Sequence, residues 1–282
     1  MTNLEQNLRP LVTIAIPVFN GERYLEATLS SALAQSYDRL EIIVVDDGST
    51  DGSCDIASSF KDSRIRLLRA RKNEGIESAW NRCLDAATGH YMTLLPQDDL
   101  LLPSAVEERL ALLLAEPEAA LVFNARKIID EKGGIITTRG APFFEGAVDA
   151  RRLMGSCVLS GMNHIGDPAA VMFSVPVARR LASGFSGRWP WVIDLEFWTR
   201  LMRLGQVYYL PRTLSAFRVN QGALSVQLRL HQAEQFQAFS RYACALYSLP
   251  KWFLPIGSVA AVISQHLRNL LYIYRWRGLP RN

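Results

Sequence analysis

Residues 11–52 read LVTIAIPVFNGERYLEATLSSALAQSYDRLEIIVVDDGSTDG, and this stretch decides the fold. Its first eight residues are apolar and rich in β-branched side chains, which is typical of a strand buried on both faces. After a turn at Asn20 and Gly21, apolar residues recur at the spacing of a helix. Glu41–Val45 then predicts a second buried strand, which runs into an acidic, glycine-rich loop.

The alternation of strands and helices continues to residue 115. A strand at 64–70, a helix at 73–89, a strand at 90–99 that ends in two acids, and a helix at Pro103–Ala115 follow in turn. Four strands that alternate with helices predict an α/β protein with a parallel, doubly wound sheet. Ligands of such sheets bind at the carboxyl ends of the strands, so the loops PVFNGE, DDGSTD and PQDD are expected to form the site.

The composition is that of an ordinary globular protein, with 282 residues of which 49% are hydrophobic and 21% charged. This excludes disordered, collagen-like and coiled-coil classes. The four cysteines form no C-x-x-C pair, and no apolar signal segment opens the chain, so we predict a reducing, cytoplasmic location.

Charge is distributed unevenly. Residues 1–250 hold 26 basic and 27 acidic residues, which disfavours binding of nucleic acid. The last 32 residues hold no acid and five bases, namely Lys251, Arg268, Arg275, Arg277 and Arg281. No apolar run there reaches 18 residues, so the segment 226–282 predicts a basic amphipathic helical extension rather than a spanning helix. Such an extension suits peripheral contact with an anionic cytoplasmic membrane leaflet, or packing on the catalytic domain or on a second subunit of a homodimer.

Two pairs of adjacent acids end predicted strands. Asp98 and Asp99 repel each other, and a divalent cation shared with phosphates would compensate them; the alternative is capping of the helix that enters at 102–104. Asp46 and Asp47 pose the same question. One of them could accept the imide N–H of uracil or thymine, or both could close turns before Gly48.

A third candidate is Asp194, which lies among Trp189, Trp191, Phe197 and Trp198. In an aromatic-walled cleft its pKa would rise toward that of a useful general base, whereas the alternative is a helix N-cap. The chain has no G-x-G-x-x-G after its first strand and no P-loop, H-E-x-x-H or G-x-S-x-G motif. Dinucleotide oxidoreductases, P-loop NTPases, zinc proteases and serine hydrolases are therefore disfavoured.

Taken in order, these motifs resemble an inverting family 2 glycosyltransferase with the A-type glycosyltransferase fold. The matching elements are IAIPVFNGERYLEATLSSALAQSY, EIIVVDDGSTDGS, NEGIESAWNRCLDAATGHY, LLPQDDLLLP, GDPAAVMF and IDLEFWTRL. The resemblance implies a mainly parallel Rossmann-like sheet with helices on both faces, plus a helical C-terminal tail. It also implies a catalytic domain at 1–225, with a nucleotide-sugar-binding half at 11–115 and an acceptor-binding half at 116–225.

The resemblance further implies roles for individual residues. Asp194 matches the general base, and Asp98 and Asp99 match ligands of Mn²⁺ or Mg²⁺. The nucleotide-sugar pocket would comprise Pro17, Val18, Phe19, Asn20, Glu22, Asp46, Asp47, Gly48, Asn73, Gly75, Asn81, Gln97, Asp98 and Arg218. The chain has Pro96, Ile193 and Asn220 where family members usually carry Asp, Glu and His.

The expected activity is transfer of a sugar from a nucleoside diphosphate donor, with UDP or dTDP favoured, to a hydroxyl of a glycan or lipid-linked acceptor. The transfer would proceed with inversion and would serve polysaccharide or cell-surface glycan biosynthesis. Two alternatives remain open. One is a nucleotide-sugar-binding protein that has lost catalysis, and the other is a nucleotidyltransferase, which would release pyrophosphate.

Overall fold

The computed structural model describes residues 9–276, without the side chains of Leu224, Ser225 and residues 271–276. Within this range ten strands form one mixed sheet. The strands are β1 (Val12–Val18), β2 (Leu40–Asp46), β3 (Ile65–Arg69), β4 (Tyr91–Leu94), β5 (Leu100–Leu101), β6 (Ala119–Ile129), β7 (Ile135–Arg139), β8 (Gly146–Val148), β9 (Val171–Ser174) and β10 (Gln206–Arg218).

Helices connect and cover the strands. They are α1 (Leu25–Leu33), α2 (Ser53–Ser59), α3 (Ile76–Ala86), α4 (Ala105–Ala115), α5 (Ala150–Ser160), α6 (Val175–Ala178), α7 (Ile193–Leu201), α8 (Leu224–Gln227), α9 (Gln232–Leu246) and α10 (Phe253–Trp276). Short 3₁₀ turns at Pro168–Ala170 and Pro190–Val192 precede β9 and α7.

The first four strands form the expected parallel half, in the order β3-β2-β1-β4. Val12 pairs with Leu40 on one side and with Tyr91 on the other. Along β1 and β2, successive apolar residues enter two different cores: Ile14 and Ile42 lie in one, and Ala15 and Ile43 in the other. This is why both strands are apolar throughout, since side chains alternate between two covered faces. The α/β class and the helices on both faces are confirmed.

The second half of the sheet decides where the site lies. β9 runs antiparallel to both β4 and β6, and β6 runs parallel to β10. β4, β6 and β10 therefore share one direction. The carboxyl ends of β1, β2, β4, β6 and β10 meet at one edge of the sheet, together with the beginning of β9. Loops that are far apart in sequence are brought together there.

The C-terminal helices pack on the part of the chain that forms the sheet. Phe236 and Phe239 of α9, and Ala261 of α10, belong to the same buried cluster as strand residues of β4 and β6. No helix within residues 9–276 combines the length and apolarity needed to cross a bilayer. Of the bases predicted to mark the tail, Arg277 and Arg281 lie outside the described residues, as does the side chain of Arg275.

Candidate active site

The loop after β1 is fastened to the loop after β2. Asn20 has a φ of 50°, its amide N–H donates to Ser49 Oγ at 2.9 Å, and its Oδ1 accepts from the Thr50 amide at 2.9 Å. Glu22 Oε2 accepts from the amide of Gly52 at 2.8 Å. The polar groups of Asn20 and Glu22 thus join two loops of the predicted nucleotide pocket to each other.

Gln97 fastens the same loop to the one after β4. Its Oε1 accepts from the Phe19 amide at 2.7 Å, and its Nε2 donates to the Phe19 carbonyl at 3.1 Å. This pair of bonds leaves the Phe19 ring 42% exposed at the edge of the sheet. Pro17 and Val18, just before it, are buried in β1.

Asp46 and Asp47 are both buried and hold backbone. Asp46 accepts from the Ser49 amide at 3.3 Å, which is the turn-closing arrangement. Asp47 accepts from the amides of Glu74 and Gly75, at 3.1 Å and 2.9 Å. Their carboxylates therefore fix the loops on which a nucleotide would lie.

The segment from Asn73 to Gly75 lies directly against the DDGST loop. Gly48 has a φ of 75°, and a Cβ placed on it would lie 2.5 Å from the backbone of Lys72. Only glycine combines this conformation with such a close approach. Asn73 is exposed beside it, and Gly75, with a φ of 91°, precedes α3.

The side chain of Asn81, in α3, forms two hydrogen bonds with the backbone of Phe185. Its Nδ2 donates to the carbonyl of Phe185 at 2.9 Å, and its Oδ1 accepts from the Phe185 amide at 2.7 Å. The sequence motifs predict that this side chain lies beside the donor, and that stays a prediction; in the structure its hydrogen bonds go to the segment that leads toward Asp194. Asn81 thus bonds to both the amide and the carbonyl of Phe185, as Gln97 does to both the amide and the carbonyl of Phe19.

Asp98 lies in the loop that follows β4, and its side chain contacts Asn220 just beyond the end of β10. Its Oδ2 accepts from Asn220 Nδ2 at 2.6 Å. Burial and the negative charge of Asp167 raise the pKa of Asp98, while the bond from Asn220 lowers it. The helix that Asp98 or Asp99 might have capped begins at Ala105, with Ser104 before it, so the capping alternative is wrong.

Asp99 lies behind Asp98 and is fully buried. Its Oδ1 accepts from the Arg218 amide at 2.9 Å, and its Oδ2 has no hydrogen-bond partner among the described residues. Burial, followed by the charges of Asp98 and Asp167, raises the pKa of Asp99 well above its usual value.

Arg218 joins three parts of this edge. Its Nε donates to the carbonyl of Asp98 at 2.9 Å, and its Nη1 donates to the carbonyls of Asp130 and Glu131. The guanidinium lies over the ring of Tyr24, 4.7 Å from its centre. Arg218 was predicted to contact the donor, and the structure shows it holding the loops around Asp98.

Asp194 lies in the first turn of α7, whose preceding residue is Val192, so Asp194 is not the N-cap. Asn163 Nδ2 donates to Asp194 Oδ2 at 3.3 Å, and Asn163 is itself held by the amides of Ile165 and Gly166. Burial, and then the nearby negative charge of Asp167, raise the pKa of Asp194 to about 7. A carboxylate with this pKa suits a general base at neutral pH.

Asp167 is the site residue to which sequence reasoning assigned no role. Its charge raises the pKa of Asp98, Asp99 and Asp194, so it lies near all three. Its Oδ2 forms an ion pair with Arg126 Nε at 2.5 Å. The signal was present in the GDPAAVMF element, which contains Asp167, but nothing in that stretch says that β9 begins at the site edge.

A divalent cation fits this group of residues. The charge of Asp167 raises the pKa of both Asp98 and Asp99, and the charge of Asp98 also raises the pKa of Asp99. Asp99 Oδ2 is a buried oxygen without a partner among the described residues. A cation would relieve both conditions. The described residues contain no cluster of three or more His, Cys, Asp or Glu that could hold a metal alone. Phosphate oxygens and water would have to supply the other ligands, which is the usual manner for Mg²⁺ in nucleotide enzymes.

The structure therefore brings together Asp98, Asp99, Asp194 and Arg218, and adds Asp167, Arg126, Asn163 and Asn220 to them. The loop residues from Phe19 to Glu22, the Asp46–Gly48 turn and the Asn73–Gly75 segment form a second, adjoining group that Gln97 connects to Asp98. Asn81 belongs to neither group by its hydrogen bonds.

Comparison with known proteins gives a family and related folds. The family model for glycosyl transferase family 2 matches residues 13–175. Uncharacterized protein MT1568 of Mycobacterium tuberculosis is 29% identical over 93% of this chain and 88% of its own length. An uncharacterized glycosyltransferase of Haemophilus influenzae is 28% identical, over 84% of this chain and 74% of its own length.

Solved structures share the fold. Staphylococcus aureus TarS 1–349 in complex with UDP-GlcNAc superposes with a TM-score of 0.65 at 17% identity, over 83% of this chain and 66% of that one. The mannosyltransferase PcManGT from Pyrobaculum calidifontis, in complex with GDP-Man and Mn²⁺, gives 0.59 at 20% identity, over 97% and 81%. The A-type fold expected from the sequence motifs is confirmed.

Proposed function

The chain belongs to glycosyl transferase family 2, and we propose that it transfers a sugar from a nucleoside diphosphate donor to an acceptor hydroxyl with inversion, using Asp194 as the base. The observation that carries the proposal is that one edge of the sheet holds both a carboxylate suited to act as a base, Asp194, and a carboxylate suited to hold a cation, Asp98. Asp194 has a pKa of about 7, and Asp98 lies near the loops of the predicted donor pocket.

Asp194 acts on the acceptor. In its ionised form the carboxylate takes the proton of the acceptor hydroxyl as the oxygen attacks the anomeric carbon of the donor sugar. The bond from that carbon to the diphosphate breaks on the opposite face, and the electron pair leaves with the diphosphate. Asn163 holds the carboxylate in place through Oδ2, and burial together with the charge of Asp167 raises its pKa to about 7.

The donor diphosphate would lie beside Asp98. A Mn²⁺ or Mg²⁺ ion held by Asp98, with Asp99 behind it, would neutralise the charge that develops on the departing diphosphate. Asn220 orients the Asp98 carboxylate, and Arg218 fixes the loop that carries it. The Mn²⁺ in the PcManGT complex is consistent with this chemistry.

The nucleotide would occupy the group of loops around Phe19, Asp47 and Asn73. We favour a UDP- or dTDP-sugar, with the pyrimidine resting against the exposed Phe19 ring and the backbone that Asp46 and Asp47 hold. TarS is described with UDP-GlcNAc, which is in keeping with a uridine donor, whereas PcManGT is described with GDP-Man.

The acceptor is proposed to be a glycan or a lipid-linked saccharide in cell-surface polysaccharide synthesis, reached from the cytoplasmic face of the membrane. TuaG of Bacillus subtilis, which is named for teichuronic acid biosynthesis, is 34% identical over 45% of this chain and 51% of its own length. In this proposal residues 1–225 are the catalytic domain, with the donor held by 11–115 and the acceptor by 116–225.

The test is an assay of product release with a panel of nucleotide sugars, acceptors and Mn²⁺. If the protein transfers a sugar, the amount of nucleoside diphosphate released should equal the amount of sugar transferred. The rate of release should fall in the variant Asp194→Asn. Release of pyrophosphate from a nucleoside triphosphate would instead show a nucleotidyltransferase. Tight nucleotide binding without turnover would show a binding protein that has lost catalysis.

A further inference from the structure

The helix α10 has an unusual distribution of side chains. Its inner face carries Gly257, Ala261 and Gln265, which are buried. A Cβ on Gly257 would lie 2.1 Å from the carbonyl oxygen of Val158 in α5. Gln265 Oε1 accepts from the amide of Ala233 in α9 at 2.7 Å. Phe253 and Leu254 at the start of the helix pack on the core, but from Gly257 onward these small and polar residues face the protein.

Large apolar residues face outward. We call this set the outward face of α10; it comprises Trp252, which directly precedes the helix, and Ile256, Val259, Val262, Ile263, Leu267 and Leu270 within it. These residues are between 40% and 62% exposed. From Ile256 to Leu270 they follow the three- to four-residue period of one helix face, along about 21 Å of helix. Seven of the thirteen large exposed apolar side chains of the described residues lie here. A contiguous apolar stripe of this size marks a surface that binds something.

Charge decides between the occupants of this surface. After Glu234 the sequence has no acidic residue and six basic ones. Arg268 is held within the protein by Gln232 and Ser264, and the others are Arg241, Lys251, Arg275, Arg277 and Arg281. If a second copy docked on the same face, two segments that carry basic and no acidic residues would lie against each other, and the repulsion between their like charges would oppose this contact. An anionic bilayer offers apolar chains to the outward face and phosphate groups to the bases.

We propose that the outward face of α10 is an interfacial membrane-binding surface that lies in the headgroup region of an anionic bilayer. The inference deepens the proposed function. It rests on that function only for the reason why the protein would bind a membrane, which is access to a lipid-linked acceptor. The helix is close to the acceptor side of the site. A Cβ on Gly161 would lie 2.3 Å from the amide nitrogen of Ala261, and Asn163, which bonds to Asp194, follows two residues later.

The test is sedimentation of the full chain with vesicles of phosphatidylcholine, with or without phosphatidylglycerol. We expect binding that requires phosphatidylglycerol and weakens with salt. The triple variant Ile256→Gln, Ile263→Gln and Leu267→Gln should lose about tenfold or more in vesicle affinity, because glutamine keeps the helix and removes the apolar contact. The matched control Ile135→Gln with Phe143→Gln, at positions 61% and 75% exposed elsewhere, should bind as the unmodified chain does.

Three results would overturn the proposal: equal binding of the triple variant and the unmodified chain, equal binding to both vesicle types, or a lipid-free dimer that the triple variant converts to a monomer. If the triple variant unfolds, the single variant Ile263→Gln should still show a smaller loss in the same direction. Stabilisation by UDP and Mn²⁺ should be equal in all these proteins. Its absence throughout would count against the donor site and leave the membrane result standing.

Discussion

The side-chain amide of Asn163 donates a hydrogen bond from Nδ2 to Oδ2 of Asp194 at 3.3 Å, and Asn163 lies in the loop that leads into β9. β9 runs against the direction of β4 and β6, so this loop arrives at the same edge as the ends of those strands. The bond therefore ties the proposed base to the loop that also carries Asp167. The base is held from outside its own helix.

Replacing Asp194 by asparagine should lower kcat by about 10²-fold or more, since the acceptor hydroxyl loses its general base. Donor affinity should stay near that of the unmodified chain, because within the described residues the hydrogen bonds of the Asp194 carboxylate go to Asn163 and Leu195 and not to the loops of the proposed donor pocket. Steady-state kinetics and a nucleotide-binding isotherm check both parts. Near-normal kcat would remove Asp194 from the mechanism.

The variant Asp194→Asn should be more stable than the unmodified chain at alkaline pH. The folded-state pKa of Asp194 is about 7 and its ordinary value is 3.8, so the unfolded chain loses this proton first as the pH rises. Folding stability conferred by the protonated form is thus lost between about pH 4 and pH 7, and asparagine avoids that loss. Thermal unfolding should show Asp194→Asn more stable than the unmodified chain at pH 8, with a smaller difference at pH 4. A difference that does not change with pH would mean that Asp194 is not buried in this way.

Asp167→Asn should shift the acidic limb of the pH–rate profile to lower pH. The base works when ionised, so activity rises with pH through its pKa, and removal of the Asp167 charge lowers that pKa. A profile of kcat against pH for the two proteins measures the shift. An unchanged limb would show that another group sets it.

Two amide side chains provide a matched pair of variants. Gln97→Ala removes two bonds to Phe19 in the donor loops, and should raise the donor KM about tenfold with a smaller effect on kcat. Asn81→Ala removes two bonds to Phe185, and should lower kcat while leaving the donor KM nearly unchanged. The opposite assignment of effects would place Asn81 at the donor, as the sequence motifs imply.

The first four strands and the helices between them up to residue 115 follow from apolar periodicity, because each is a local pattern of the sequence. β2, for example, is expected at Glu41–Val45 and observed at Leu40–Asp46. The predicted strand at 90–99 is observed only as Tyr91–Leu94, and the short strand β5 is not predicted. The role of Asp167 is not readable in this way. It depends on β9 being antiparallel, which pairing between distant strands decides.

Site chemistry shows the same division. The sequence places Asp46, Asp47 and Asp98 at strand ends, but the partners that fix them, such as Asn220 at 2.6 Å from Asp98, are more than a hundred residues away in one case. The sequence also predicts an amphipathic helix in the tail, but it does not say which face of that helix the protein covers, since an apolar helix stripe looks the same whether it faces the protein or solvent. Here Gly257 and Ala261 face the protein.

The central claim is a nucleoside diphosphate site completed by a cation at Asp98, and the most direct test is thermal unfolding with UDP or dTDP, with and without Mn²⁺. A ligand that binds only the folded state raises the unfolding temperature. We predict a rise that requires Mn²⁺ in the unmodified chain and that Asp98→Asn, which keeps its bond to Asn220, largely abolishes. No rise with any nucleoside diphosphate in the presence of Mn²⁺ would contradict the account.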